Sequence, residues 1–412
     1  MNNMKTSIVL SLLFLLNGIS FSQNLTEKLI EIGKRNDLVG MSVCVVKQGD
    51  PVLKFHFGAK NLDRGLPIDD STVYRIASIS KMVTVTALML LYDQGLFKLN
   101  DDVNNYLGFK LRNPNFPDVP ITFAMLMSHT ASLREGKGYD DFLGASYQND
   151  TIPELHTLLC KGETYFTDDM WSNTDGPDKN YFSYANINFG ILGTLVERIS
   201  GERFDKYCIE HIFKPLKLNA SFDVRDIDNI NNVAVIYRKQ DSTWTPQTDN
   251  WKGICPVKRN LVNYKIGSNA VIFAPQGGVR ISALDLSKFM VLHQNNGIYK
   301  GVRILSDSTC KRMHQLIWKT NGSNGDTSND FFTTYALGCM KTDKLIPGAI
   351  LTGHSGEAYG LLSDMYYSEK EDWGIVFIMN GGIFKTGSYS GWYKLEEEIF
   401  TACYKELVGW GK

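Results

Sequence analysis

Apolar and polar positions follow changing rhythms along this chain. Leu25–Arg35 carries apolar residues at helical spacing. Val39–Val46 and Val52–Phe57 then read as two strands, joined through Gln48-Gly49-Asp50-Pro51 as a hairpin turn. Ser78–Leu91 is a strongly apolar helix, and 100–215 reads as mostly helical with polar loops. Within it, 134–182 is the least regular stretch. It is rich in Gly, Asp and Asn and in aromatics (Tyr165, Phe166, Trp171, Tyr181, Phe182), which predicts a long surface loop bordering a cleft. Helical patterns return at Ala283–Gln294 and Ser306–Trp318. Tyr335–Met340, Tyr359–Tyr367 and Trp373–Met379 are strand-like, the last apolar on both faces and therefore central. Tyr393–Val408 closes the chain as a helix.

Strands near both ends of a chain can share one sheet only if the middle folds as a lobe against it. The expected organisation is an α/β part over about 23–75 and 270–412, a mainly helical part over about 76–269, and a ligand cleft between them.

The first residues stand outside this fold. Lys5, the apolar run Ile8–Leu16 and the small residues Ser20 and Ser22 before Gln23 follow the order of a secretory signal peptide over 1–22. The apolar run is short of the roughly 20 residues a membrane span needs, so cleavage is expected to leave no stable anchor. A retained N-terminal anchor is the competing reading. The mature chain is expected in the periplasm or secreted.

Composition narrows the partners. The formal net charge is −1 over 412 residues, with no basic block, which argues against nucleic acid and anionic membrane surfaces. A small-molecule or peptide substrate suits the balance better. The seven cysteines are scattered without a C-x-x-C pair, so neither a disulfide framework nor a zinc site is indicated; most are expected to fill core. Their odd number leaves at least one thiol unpaired within the chain. No cofactor motif is present.

A serine hydroxyl attacks a carbonyl only when a base takes its proton and something stabilises the oxyanion. A serine at a helix start meets free N–H groups and the positive dipole end. A lysine three residues on shares its face, and desolvation lowers the amine pKa until it accepts a proton. Arg75-Ile-Ala-Ser78-Ile-Ser-Lys81 offers this arrangement ahead of an apolar helix. The spacing alone is weak, since roughly two S-x-x-K matches arise by chance. Ser308–Lys311 is the second, at a helix start where a serine is explained as a cap. Context separates the two. Tyr184-Ala-Asn186 opens another apolar helix and supplies a phenol for proton shuttling and an amide for a substrate carbonyl. Tyr147-Gln-Asn149 has the same short pattern but no comparable helix after it. Gly353-His354-Ser355-Gly356-Glu357 precedes a strand, where the glycine lets a ligand approach the backbone.

With these residues the sequence resembles the serine β-lactamase and penicillin-binding-protein superfamily, in its class C-like branch of β-lactamases, D-alanyl-D-alanine carboxypeptidases, D-aminopeptidases and β-lactamase-like esterases. Tyr74–Asp102, the Ile121–Leu133 segment with Ser128-His129-Thr130, and Gln276-Gly277-Gly278 extend the likeness over about 39–380. The resemblance implies an antiparallel sheet flanked by helices with a helical lobe inserted. It implies Ser78 as acylated nucleophile, Lys81 and Tyr184 sharing acid–base duty, and Asn186 orienting substrate. His354, Ser355 and Gly356 would form the third motif, and the Ser78 and Glu357 N–H groups the oxyanion hole. No cofactor or metal is implied. Substrates would be esters or amides, D-amino-acid and peptidoglycan-derived peptides among them. Two departures stand out: His354 replaces the lysine usual in class C β-lactamases, which makes efficient β-lactam hydrolysis less expected, and Ala185 replaces a common serine.

Other readings carry less. His129, on a helix end within an apolar run, is assigned a structural role, and His354 is the only histidine placed in the site. No H-E-x-x-H or G-x-S-x-G occurs. Asp168-Asp169 and the aromatics of 165–182 fit a substrate rim and a solvated loop equally. The rival from another class is a catalytically silent module that binds cell-wall peptides or a protein partner; intact Ser78, Lys81 and Tyr184 argue against it.

Overall fold

The computed structural model describes residues 24–148, 151–257 and 259–408, so the signal peptide read at 1–22 lies outside it. Helix α1 (24–35) leads into β1 (Gly40–Lys47) and β2 (Asp50–Asn61). Gln48 (φ 54°) and Gly49 (φ 79°) make the hairpin turn between them, the positive-φ pair that matches strand twist. β3 (Leu66–Pro67) and β4 (Val73–Arg75) follow, then α2 (Ser80–Asp93).

The central sheet is antiparallel and seven-stranded. Its order is Met340–Thr342, Leu351–Ala358, Leu361–Ser368, Trp373–Met379, β1, β2, β3. Strands from both ends of the chain thus share one sheet, and Trp373–Met379 is its fourth and central strand. Alternation sorts the two faces. Met41, Val43, Val45, Ile375 and Phe377 pack with Leu25 and Leu29 of α1 and with Ile399 and Phe400 of the C-terminal helix Lys394–Cys403. Cys44, Val46, Val376 and Ile378 face the opposite way, into the core built around α2 and the helix Ala283–Gln294.

In the helical part, α3 (Phe123–Met127) is capped by the Thr122 hydroxyl, which accepts from the Met125 N–H at 3.3 Å. α4 (Lys137–Gln148) and α5 (Ile187–Ser200) come next. α4 corrects the expected surface loop over 134–182, where Phe142, Leu155, Leu158 and Met170 are fully buried. Gly138, Gly144, Asp140 and Asp141 lower its helix propensity, and tertiary packing outweighs that. Elsewhere 100–215 is less helical than expected, with turns as short as Asn104–Leu107.

Further strands are β5 (Ile236–Gln240) paired with β6 (Thr243–Thr248), β7 (Arg280–Ser282) paired with β4, β8 (Met340–Thr342), β9 (Leu351–Ala358), β10 (Leu361–Ser368) and β11 (Trp373–Met379), beside the two-residue pairs Ile298–Tyr299 with Val302–Arg303 and Trp318–Lys319 with Thr334–Tyr335. The last helices are α6 (Ala283–Gln294), α7 (Asp307–Met313) and α8 (Lys394–Cys403). Three expectations shift. The helix read over 306–318 ends at Met313, because Trp318 pairs with Tyr335 as strand. The strand read over 335–340 is broken by Gly338 at φ 73°. The Gly353–Glu357 motif lies inside β9 rather than ahead of a strand.

Candidate active site

Ser78 sits in the tight turn Ala77–Ile79 that opens into α2. Ala77 has φ 42°, a left-handed conformation that costs a non-glycine residue about 1–2 kcal/mol. Its neighbours hold the turn. The Ile76 N–H donates to Val279 O at 3.0 Å, the Ser80 hydroxyl accepts from the Val279 N–H at 3.1 Å, and the Ser363 hydroxyl donates to Ile76 O at 2.9 Å.

Lys81 is fully buried one turn further on. Its Nζ donates to Ser78 Oγ at 3.0 Å, Asn186 Oδ1 at 2.7 Å and Gln276 O at 2.9 Å. Burial disfavours the ammonium and pulls its pKa down to about 7, against an opposing pull from the Glu135 carboxylate. A neutral amine keeps two N–H donors for Asn186 and Gln276 and turns its lone pair to the Ser78 hydroxyl.

Tyr184 lies between rings, 4.2 Å from the His129 centroid and 4.9 Å from Phe332, with its hydroxyl hydrogen-bonded to Ser78. Burial raises its phenol pKa, so it stays protonated. Asn186 precedes α5, and its N–H donates to Glu135 Oε1. Gly356 presses β9 against the nucleophile turn. A Cβ there would stand 2.4 Å from Ile76 O and 3.0 Å from Ser78 N, so only glycine fits.

The other motif residues are turned differently from one another. His354 is 1% exposed, and both ring nitrogens are used inside the protein. Nδ1 donates to Ser355 O at 2.5 Å, and Nε2 accepts from the Tyr335 hydroxyl at 2.9 Å. Burial holds its pKa down at about 3, so the ring is neutral. Ser355 lines the same cavity as Ser78 and His354, and its hydroxyl donates to Asp364 at 2.5 Å and accepts from Trp392 Nε1 at 2.9 Å. Strand alternation sets these partners: His354 and Gly356 face Ser78, while the Ser355 side chain leaves the other face of β9. Glu357 is exposed and accepts from Tyr393 Oη at 3.2 Å.

Two cavities meet at Ser78. One, about 560 Å³, is aromatic, with Tyr184, Phe332, His354 and Trp392. The other, about 640 Å³, is charged, with Arg75, Glu135, Asp140 and Arg280; Arg280 is paired with the buried Asp249 at 2.8 Å. Glu135 was not singled out in the sequence. Its only local signal is its place six residues after His129. His129 keeps its structural character but lies directly behind the site. It is 1% exposed at φ 58°, and its Nδ1 accepts from the Ala185 N–H at 3.1 Å and the Asn188 amide at 3.2 Å. Asp168 and Asp169 line neither of the two cavities.

An antiparallel sheet, an inserted helical lobe and a serine–lysine–tyrosine cluster at their junction define a β-lactamase-like protein. The sequence profile of the Beta-lactamase family matches residues 25–394, and the chain belongs to that family. Protein flp of Staphylococcus aureus (strain N315) is 24% identical over 223 residues, 54% of this chain and 42% of that protein; the chain thus spans less than half of this relative's length. Penicillin-binding protein 4 of Amycolatopsis lactamdurans is 24% identical over 375 residues, 90% of this chain and 85% of that one. In three dimensions the chain is similar to the D-amino acid amidase of Ochrobactrum anthropi SV3. That match has a TM-score of 0.65 at 17% identity and covers 94% of this chain and 99% of the amidase.

Proposed function

We propose that this chain is an exported serine hydrolase that cleaves an ester or an amide, with D-amino-acid and peptidoglycan-derived peptides as the substrate class. The observation that carries the reading is the buried Lys81 amine, 3.0 Å from Ser78 Oγ with a pKa pulled down to about 7. Ser78 Oγ gives its proton to Lys81 Nζ and bonds to the carbonyl carbon. The carbonyl oxygen takes the negative charge beside the Ser78 and Glu357 N–H groups. The tetrahedral species collapses, the carbonyl–leaving-group bond breaks, and the leaving group takes a proton from the protonated Tyr184–Lys81 pair. Water then releases the acyl group along the same proton route, and Asn186 holds substrate and amine in register.

The substrate preference rests on the third motif. A β-lactam carboxylate seeks a cation there, and His354 is neutral with both nitrogens engaged. Relatives named as a penicillin-binding protein and a D-amino acid amidase are consistent with an amide substrate. Export rests on the signal-peptide pattern of 1–22, and N-terminal sequencing of protein recovered from the periplasm or medium tests it. Among the described residues no helix is long and apolar enough to cross a membrane.

The deciding experiment treats the mature protein with a fluorescent penicillin and an activated ester, locates the adduct by peptide mass, and uses Ser78→Ala as control. Turnover of a D-Ala-D-Ala peptide or simple ester above that of a chromogenic cephalosporin is expected. Turnover that survives in Ser78→Ala overturns the mechanism, and an adduct with no turnover supports the silent binding module instead.

A further inference from the structure

Away from the cleft, three metal-ligating side chains converge in the core beside α2. His293 comes from the last turn of α6, Cys310 from α7, and His314 ends α7. They are 1%, 0% and 5% exposed, and their ligand atoms all lie within 4.8 Å of one another. His293 Nδ1 is 3.2 Å from His314 Nε2 and 4.0 Å from Cys310 Sγ. A tetrahedral ion with metal–nitrogen bonds of about 2.0 Å and metal–sulfur bonds of about 2.3 Å sets its ligand atoms about 3.3 Å (N–N) and about 3.5 Å (N–S) apart. Both separations from His293 Nδ1 therefore stand within about half an ångström of that geometry, and the third, between Cys310 and His314, lies within 4.8 Å.

The hydrogen bonds around the cluster also aim a lone pair into it. The Thr86 hydroxyl gives its proton to Met82 O at 2.7 Å, so at its 3.1 Å contact with His293 Nε2 it can only accept. Nε2 therefore carries the ring proton, and Nδ1 is left as a bare acceptor facing His314 and Cys310. A ring N–H anchored on an oxygen while the other nitrogen points at the ion is the arrangement seen around metal-bound histidines. The Tyr367 hydroxyl, 3.0 Å from His314 Nε2, offers an oxygen for a fourth position.

We propose that His293, Cys310 and His314 form a buried structural site for a closed-shell d10 metal ion, Zn2+ or Cu+. Thiolate and imidazole select these soft to borderline ions over Mg2+ or Ca2+. A thiolate and two neutral imidazoles neutralise Cu+ outright and leave Zn2+ with one net charge. The ion would tie α6 to α7 and, through Thr86, to the helix that carries Lys81. Binding is independent of the hydrolytic reading, since no ligand lines the cleft.

Because all ligands are buried, the ion must enter as the chain folds. The test produces the mature protein in medium supplemented with Zn2+ or, separately, with copper under reducing conditions. Loose ions are removed by desalting, and metal per chain and Tm are measured. One arm should retain about one ion per chain, with a Tm above that of chelator-grown protein, and Cys310→Ser should retain less than about a tenth of that. Co2+-grown wild type should show a thiolate-to-cobalt charge-transfer band in the near ultraviolet, a reading that stands even if Cys310→Ser fails to fold. Less than about a tenth of an ion in every wild-type arm overturns the proposal; so does zinc loading without such a cobalt band, or equal retention by a folded Cys310→Ser. Acylation of Ser78 in the same samples reports the hydrolytic reading separately.

Discussion

The chain carries the spacing Ser-x-x-Lys twice, and the two copies meet opposite surroundings. At Ser78–Lys81 the lysine is fully buried, held by Ser78, Asn186 and Gln276, and faces the ring of Tyr184 at 4.8 Å. At Ser308–Lys311 the serine is exposed, and the lysine side chain is 63% exposed and paired to Asp307 at 2.7 Å one turn back. The local geometry is that of a helix start in both. Reactivity therefore comes from what the fold packs around the pair. A lysine in water keeps its proton, and a lysine stripped of water gives up that preference.

The sharpest break between the two copies is the nucleophile. Ser78→Ala should lower kcat/KM for an activated ester by at least about 10⁴-fold, whereas Ser308→Ala should leave it within experimental error. Steady-state kinetics on both variants in parallel decides it, and comparable losses would erase the distinction. Lys81→Met comes next, with an expected loss of about 10²- to 10⁴-fold, the range of a removed acid–base group. Lys311→Met should change nothing in the same assay. Tyr184→Phe should fall near the lower end of that range, because the phenol relays protons that Lys81 still accepts.

The pH dependence sharpens the same contrast. With Lys81 near 7, kcat/KM should fall about tenfold per pH unit well below that value and level off above it. The effect on stability has a definite sign. The folded pKa lies below the ordinary 10.5, so between about 7 and 10.5 the unfolded chain binds more protons at this residue than the folded one. Stability from this group rises with pH across that window, and the full cost of the buried charge applies below it. Lys81→Met should therefore raise Tm more at pH 6 than at pH 9.5, as differential scanning calorimetry would read. An equal shift at both values would show that Lys81 is not desolvated.

What the sequence made legible follows the same division between local and assembled features. The β1–β2 hairpin, α6 and the central strand β11 were readable because periodicity and turn chemistry there agree with the final packing. β9 was not, since Gly353, Ser355 and Gly356 lower strand propensity and pairing with β8 on one side and β10 on the other imposes the extended form. The turn of the Ser355 hydroxyl toward Asp364 depends on that strand and was lost with it. Glu135 reaches Asn186 across 51 residues, and His293 meets Cys310 and His314 only where α6 and α7 pack. No short spacing announces either contact.

The smallest expected effect concerns what the second Ser-x-x-Lys segment does instead of chemistry. A serine cap at this helix start was the expectation for Ser308, but the capping residue is Ser306. Its hydroxyl accepts from the Thr309 N–H at 3.2 Å and donates to Asp93 at 2.7 Å, which ties α7 to the end of α2. Ser306→Ala should therefore cost about 1 kcal/mol, the usual cost of losing an N-cap. Ser308→Ala should stay within about 0.5 kcal/mol, as exposed surface positions do. Urea unfolding of the two variants separates them. A larger loss at 308 than at 306 would return the capping role to the serine of the motif.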